Sequence, residues 1–408
     1  MKILLINDIG TATGGAEFQI LSLRQGLRDL GHDVRLFSSL ATPVENSELQ
    51  ADYSCFGTNT LLQVLSQTAN PGAYFKLRQI LKEFKPDVVH VRMFMWQISP
   101  LILPLLKDLP CIYQTAVYKA ICPAGTKILP NGNICQDNPG IACLNNGCLT
   151  VKTWISLMAQ RQLWQQWQDT FDLVVALSHG MKEQLENWGI KSVEIVHNGV
   201  PIRPIRPPLE NPPTVAYAGR LVSEKGIEIL IRAFAIVLSK VPDAILLVAG
   251  DGKEKASLQT LTTELGIAKS IKWLGHVSQA EMERQFNSAW VQVVPSQWEE
   301  PFGNVTTEAM MRGTAVVASA VGAQPEIIID RQTGYLFPPQ DVSQLSQLLT
   351  SLLSDCQLAT EIGLAGRDRA LSEFSEDKRN RTFLEIYTRL IAQYSNKNRA
   401  TKILSLKN

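Results

Sequence analysis

Six prolines fall within residues 200–213. A stretch so rich in proline forms neither a helix interior nor an interior strand, because each ring removes a backbone donor and crowds the residue before it. The 408-residue chain is thereby cut into two. Each part alternates short apolar runs with amphipathic segments. The runs lie at 2–6, 33–37, 87–91, 111–113 and 173–176, then at 215–218, 244–249, 271–274, 291–294 and 315–318. Several are apolar throughout, the pattern of strands buried on both faces of a parallel sheet. Segments 17–30, 227–238 and 254–265 carry helical periodicity between them. Strands separated by helices build β-α-β units, and these build doubly wound sheets. The prediction is two α/β domains, 1–199 and 214–373, joined by a linker at 200–213, with a cleft between them. In such sheets ligands bind beyond the carboxyl ends of the strands. From residue 375 the chain is helical in pattern, with apolar Phe383, Ile386, Tyr387, Leu390 and Ile391, and its last dozen residues are expected to fray.

Composition narrows the function. There are 39 basic and 38 acidic residues, a formal net charge of +1. A neutral surface gives little general attraction for polyanions, so nucleic acid is not an expected partner. The first apolar run is short and meets Asn7 and Asp8, which suits a strand and not a secretion signal. No run is long and apolar enough for a transmembrane helix, and the expected compartment is the cytoplasm. The cysteines number seven, an odd count that argues against a secreted disulfide framework.

The densest chemistry lies in residues 295–310. Glu300 follows a strand and precedes a turn through Pro301, Phe302 and Gly303. That puts Glu300 on a loop at a strand's carboxyl end, and Glu308 on the first turns of the next helix. Backbone N–H groups of Gly303, Asn304 and Val305 at the helix start make an anion site suited to a diphosphate. Carboxylates beside a sugar accept hydrogen bonds from its vicinal hydroxyls. A second loop holds Gly219, Arg220, Lys225 and Gly226, and its two cations can offset a diphosphate leaving group without a metal. A third runs through Gly250, Asp251 and Gly252. The fourth is the pair Gly14 and Gly15 after the first strand, whose amides can face a phosphate. Each has a plain reading too. Glycine pairs are common turns, Arg220 and Lys225 suit a solvated loop, Glu300 suits a cap, and Glu308 suits a helix surface. What sets them apart is that all four elements fall at strand carboxyl ends.

At Glu300 to Glu308 the chain resembles family 4 of the retaining glycosyltransferases, of GT-B architecture. The resemblance spans nearly the whole chain. The Gly14–Gly15 loop, His90, Asn198, Gly199 and Val200, then Gly219 and Arg220, Lys225 and Gly226, residues 250–252 and the two glutamates come in the family's order. It implies two Rossmann-like domains facing a central cleft, with a C-terminal helix, about 374–408, crossing back onto the first, acceptor-side domain. It implies that Arg220 and Lys225 hold the diphosphate of a nucleotide-sugar donor. Glu300 and the Phe302–Val305 backbone would hold the transferred sugar, and Glu308 the ribose. Substitution would proceed on one face, with the leaving phosphate taking the acceptor proton and no cofactor taking part. The acceptor would be a glycan, a lipid-linked saccharide or a small metabolite. Relatives carry a His-Asp-Tyr sequence where this chain has Ala116, Val117 and Tyr118, ahead of Ile121, Cys122 and Pro123. An alanine neither hydrogen-bonds nor carries charge, so altered acceptor chemistry is expected, with Gln114 or Thr115 as substitute polar groups. A GT-B phosphorylase or epimerase, and a catalytically silent partner that binds nucleotide sugar, are the other readings. UDP- and GDP-sugars both remain open, as does the oligomeric state.

Two further features stand outside the donor site. Cys122, Cys135, Cys143 and Cys148 crowd a segment rich in Gly, Pro and Asn. A long loop with little apolar content needs a staple. Structural zinc, disulfide pairs and free thiols are all open, zinc being the preferred reading. Trp154, Trp164 and Trp167 lie on a helix over residues 151–169, with Trp164 and Trp167 on one face. They suit core packing, or else an acceptor platform or peripheral membrane contact. His179 and His197 are isolated and read as structural.

Overall fold

The computed structural model describes residues 1–42, 48–60 and 62–405, with side chains described as far as residue 396. The chain forms two compact units, Met1–Gly199 with Glu376–Asn408, and Val200–Ser375.

The first unit is a seven-stranded parallel sheet. Its strands are β1 (Lys2–Ile9), β2 (Asp33–Ser39), β3 (Tyr53–Cys55), β4 (Val88–Met93), β5 (Cys111–Gln114), β6 (Leu173–Ala176) and β7 (Val193–Ile195), in the order β3-β2-β1-β4-β5-β6-β7. The order reverses between β1 and β4, where Leu4 pairs with Arg35 on one side and Val89 on the other. Such a reversal opens a crevice at the strand ends. Every residue of β1 after Lys2 is buried, which accounts for its continuous apolar run. Ile3, Leu5 and Leu36 form the core with Phe383, Ile386, Tyr387 and Leu390 from the helix Glu376–Ser405. A polar link joins the two layers. The His90 ring nitrogen Nδ1 lies 2.6 Å from the Tyr387 hydroxyl, and Nε2 lies 3.2 Å from Gln114 Oε1. Burial, with Arg92 nearby, pushes the imidazole down to about 3, so it is neutral at physiological pH. The helix backbone continues to Ser405. Of the last dozen residues, expected to fray, those as far as Ser405 are helical in backbone, while residues 406–408 and the side chains beyond 396 lie outside the described residues.

The second unit repeats the plan with six parallel strands: β8 (Thr214–Ala218), β9 (Ile245–Ala249), β10 (Ile271–Gly275), β11 (Val291–Val294), β12 (Ala315–Ser319) and β13 (Tyr335–Phe337), in the order β10-β9-β8-β11-β12-β13. Helix Ile227–Leu238 buries Leu230, Ile231, Phe234 and Val237 against this sheet, four positions at helical spacing. Residues 201–210 have no regular structure. They pack onto the second unit, where the Arg206 N–H donates to Arg312 O at 2.9 Å and its Nε to Gly313 O at 3.0 Å.

Among the described helices, none is long and apolar enough to cross a membrane. Trp164 is 2% exposed and packs against Phe94, Tyr113 and Phe171, with its indole donating to Ala120 O at 3.0 Å. It is a core residue. Trp154 is half-buried, its indole donating to Gly140 O at 2.8 Å, and Trp167 is half-buried.

At the end of β1, the fully buried Asp8 carboxylate accepts three backbone N–H groups, from Trp96, Gln97 and Ile98, each at 2.8 Å. These bonds fasten the loop after β4 to β1. They favour the charged form, yet burial outweighs them and pushes the carboxyl up to about 6. A folded-state value above the unfolded one makes the folded state bind more protons between the two. Its stabilising contribution is present at low pH and is lost as pH rises through about 6. Between pH 5 and 7 that loss is roughly 1 kcal/mol. Urea unfolding at both pH values, in wild type and Asp8→Asn, should show a smaller loss in the variant by that amount; equal losses would rule out this assignment.

Candidate functional site

The chemistry of the second unit gathers where β8, β9, β11 and β12 end. The turn after β8 is short and ends at Gly226, whose φ is +66°. A β-carbon there would lie 1.9 Å from Pro295 O. Glycine is therefore required on both counts. The closeness is used: Glu224 O accepts from the Gln297 N–H at 2.9 Å and from Ser296 Oγ at 3.2 Å. The loop after β8 is thus buttoned to the loop after β11. Gly250, with φ +147°, closes on Gly219, whose carbonyl oxygen would be 1.9 Å from an added β-carbon. The Leu221 N–H donates to Asp251 O at 2.9 Å across the same seam. Gly322, with φ +60° after β12, would bring a β-carbon within 2.6 Å of the Glu300 nitrogen.

These contacts bring Lys225 and Glu300 together. Lys225 Nζ lies 2.7 Å from Glu300 Oε1, with the two side chains 20% and 14% exposed. The same ammonium lies 5.4 Å from the centre of the Trp298 ring. Arg220 is 67% exposed and lies 3.5 Å from Glu224, its one ion pair among the described residues. Phe302 is buried and packs edge-on against Phe374. Gly303, at the N-cap position, precedes the helix Asn304–Arg312. Behind it, Thr306 Oγ1 donates to Gln324 Oε1 at 2.8 Å. Val305 contributes its carbonyl to the Gln292 amide at 3.0 Å.

Glu308 stands on that helix, half-buried, with no hydrogen bond or ion pair among the described residues. Burial lifts its carboxyl above the ordinary value, while Arg203 and Arg312 pull it back. Both guanidiniums are already committed to Glu283, at 2.9 and 3.1 Å. Sequence reasoning missed this Arg203–Glu283–Arg312 cluster. Arg203 comes from the proline-rich stretch, where nothing local sets it apart from Arg206.

The other sequence-predicted residues belong to the first unit. Gly14 leads into the helix Gly15–Asp29, and the Glu17 carboxylate stands 2.6 Å from where its β-carbon would be. A side-chain carboxylate thus lies at the helix start where a phosphate was expected. Gln114 is fully buried at the end of β5, its Oε1 accepting from Arg92 at 2.7 Å. Tyr118 is buried. Ala116 borders a cavity of about 10 Å³ with Arg92, Tyr113 and Lys119. Arg92, a cation inside a buried strand, was the readable signal that sequence analysis passed over.

The Glu308 geometry has a measurable consequence. Its raised folded-state value means that the charged form costs stability at neutral pH, a cost that vanishes once the group is protonated. Glu308→Gln should hold or raise the melting temperature at pH 7.5, and the difference should shrink toward pH 4.5. A variant that melts lower than wild type at pH 7.5 would show that the carboxylate is a structural anchor.

Comparison with known proteins accords with this arrangement. Residues 14–199 match the glycosyl transferase 4-like domain, and residues 201–369 match glycosyl transferases group 1. The glycogen synthase of Mycobacterium tuberculosis H37Rv is 29% identical over 210 residues, 50% of this chain and 50% of that protein. The chain thus spans about half the length of the first curated relatives it matches. The phosphatidyl-myo-inositol mannosyltransferase of Mycolicibacterium smegmatis is 26% identical over 358 residues, 85% of this chain and 82% of that protein. Among solved structures, sucrose-phosphate synthase from Thermosynechococcus elongatus superposes with a TM-score of 0.70 at 21% identity, covering 96% of this chain and 100% of the other. Anabaena Alr3699/HepE in complex with UDP-glucose gives 0.66 at 20%, covering 95% and 99%. With one family match on each of two doubly wound parallel sheets, the chain belongs to the family 4-type glycosyltransferases of GT-B architecture.

Proposed function

We propose that this chain transfers a sugar, with retention of configuration, from a nucleoside-diphosphate sugar to a hydroxyl acceptor. The observation that carries the reading is the Lys225–Glu300 pair, held at 2.7 Å beside the start of the helix Asn304–Arg312. A cation, a carboxylate and a helix N-terminus together suit a ligand that is a diphosphate at one end and a polyol at the other. The UDP and UDP-glucose complexes of the Anabaena structure support that donor class.

In this reading Lys225 and Arg220 bind the diphosphate. Glu300, with the backbone of Phe302, Gly303, Asn304 and Val305, holds the hydroxyls of the transferred sugar. Glu308 accepts from the ribose. Gly219 and Gly250 keep the loops low enough for the diphosphate to approach. As the bond from the anomeric carbon to the phosphate oxygen breaks, its electron pair leaves with the diphosphate. Lys225 and Arg220 offset that growing charge, which is where fixed charges lower a barrier most. The acceptor oxygen bonds the anomeric carbon from the same face, and its proton passes to the departing phosphate. No protein nucleophile or metal takes part. The acceptor is a glycan, a lipid-linked saccharide or a small hydroxylated metabolite, met on the first unit near Gln114, Ala116 and Tyr118.

Donor binding is tested by thermal shift against UDP, GDP, ADP and their common sugar conjugates. A ligand at 100 times its dissociation constant adds about 2.7 kcal/mol. One nucleotide should stabilise wild type and fail to stabilise a Lys225→Ala, Glu308→Ala double variant. No response to any of them at millimolar concentration would sink the donor assignment. Glu300→Gln and Lys225→Ala should each reduce transfer at least ~100-fold, as expected when a charged contact is removed from a preorganised site. Near-normal rates in both would move the catalytic centre elsewhere.

A further inference from the structure

Residues 122–149 are held in place by something other than a hydrophobic core. No residue from 128 to 149 is buried. The segment's regular structure amounts to one antiparallel bridge, Ile128 with Ile134, and a single-turn helix, Ala142–Asn145. Few buried contacts and short backbone ties make a segment that opens cheaply unless it is cross-linked.

All four of its cysteines meet at one place. Cys122, Cys135, Cys143 and Cys148 line a single enclosed cavity of about 20 Å³, walled otherwise by Ala124, Ile128, Ala142 and Leu149, with Asp137 and Asn146 at its side. Residues separated by up to 26 positions thus converge on one void (148 minus 122). The other three cysteines, Cys55, Cys111 and Cys356, are not among its walls. All are free thiols.

We infer that these four cysteines are the ligands of one thiolate-bound metal centre, which staples the segment. Zinc and an iron–sulfur cluster both take four thiolates. Among the described residues, no three histidine, cysteine, aspartate or glutamate side chains are placed to hold a metal ion. The thiols are therefore set back from a common point. Zinc holds sulfur nuclei at about 2.3 Å, closer than thiols that line an open void stand to its centre. Zinc would draw the segment inward on binding; a cluster several ångström across would fill the void with less movement. The apolar walls shield either from water, and the charge it brings offsets that of the thiolates.

The test is elemental analysis of the full-length protein, purified anaerobically without added chelator, with an absorption spectrum and a thiol count. About one zinc per chain, or about four irons with equal labile sulfide and a broad band near 400 nm, supports the inference and says which centre is present. Cys135→Ser and Cys148→Ser should each lower the metal content at least tenfold, while Cys356→Ser leaves it unchanged. If a variant does not fold, the wild-type stoichiometry decides alone. Metal-free protein with these four thiols titrating freely, or with two disulfides by mass, overturns the inference. This readout does not depend on transfer activity, so its failure would leave the donor site untouched.

Discussion

The second unit is organised by backbone meeting backbone at the carboxyl ends of its strands. Gly226 against Pro295, Gly250 against Gly219 and Gly252 against Leu221 are approaches in which an added β-carbon would fall 1.9–2.4 Å from a carbonyl oxygen. Real carbon–oxygen contacts are well over an ångström longer, so a side chain at any of these positions pries two loops apart. The hydrogen bonds from Gln297 and Ser296 to Glu224 form only because the loops are this close. Arg220, Lys225 and Asp251 lie on the loops that these seams hold together. The positions of Arg220, Lys225 and Glu300 are set by glycine geometry more than by their own contacts.

That geometry leaves two carboxylates in opposite electrostatic states. Glu300 is paired at 2.7 Å with an ammonium, both groups mostly shielded from water. Such a pair gains less than Coulomb attraction suggests, because each ion has lost hydration. Its value is orientational: each holds the other in a defined place until a ligand offers both a better partner. Among the described residues Glu308 has no such partner; the Arg203 and Arg312 guanidiniums that act on it pair with Glu283 instead. A half-buried carboxylate without a bond is a cost to the fold, and removing it is a stability gain unless binding needs it. Strained or unpaired groups gather at functional sites for that reason.

Much of this was legible in sequence, and the losses have physical causes. The interior strands β8 and β9, and the first half of β1, announce themselves as continuous apolar runs because both faces are covered. Three edge strands, Tyr53–Cys55, Val193–Ile195 and Tyr335–Phe337, were not read. Each is three residues long and partly exposed, too short for any periodicity to show. Glycines directly after strands marked the loops of the site, whereas Gly322 lies deeper in its loop and its purpose shows only when Glu300 is found against it. Asp8 looked like the end of an apolar run. Its partners are 88 to 90 residues away, and no local pattern encodes a bond of that span. The tryptophans carried a real ambiguity between core and surface, which the packing of Trp164 among three other rings resolves for that residue.

The alanine at position 116 is best understood from the charges around it. Arg92 is 2% exposed and Lys119 is 6% exposed, and both line the small cavity that Ala116 borders. Neither forms an ion pair among the described residues. Burial pushes the guanidinium down to about 9 and the ammonium down to about 8, a measure of how poorly positive charge is accommodated there. An imidazole at 116 would add a third group able to carry that charge to the same wall. His90 shows the outcome: burial and the field of Arg92 already hold its ring neutral. A histidine at 116 would thus meet a desolvation penalty and a repulsive neighbour, and its protonated form would be suppressed. Alanine avoids both costs. It is an electrostatically consistent partner for Arg92 and Lys119, whose buried donors are the polar groups that a ligand entering this wall would meet.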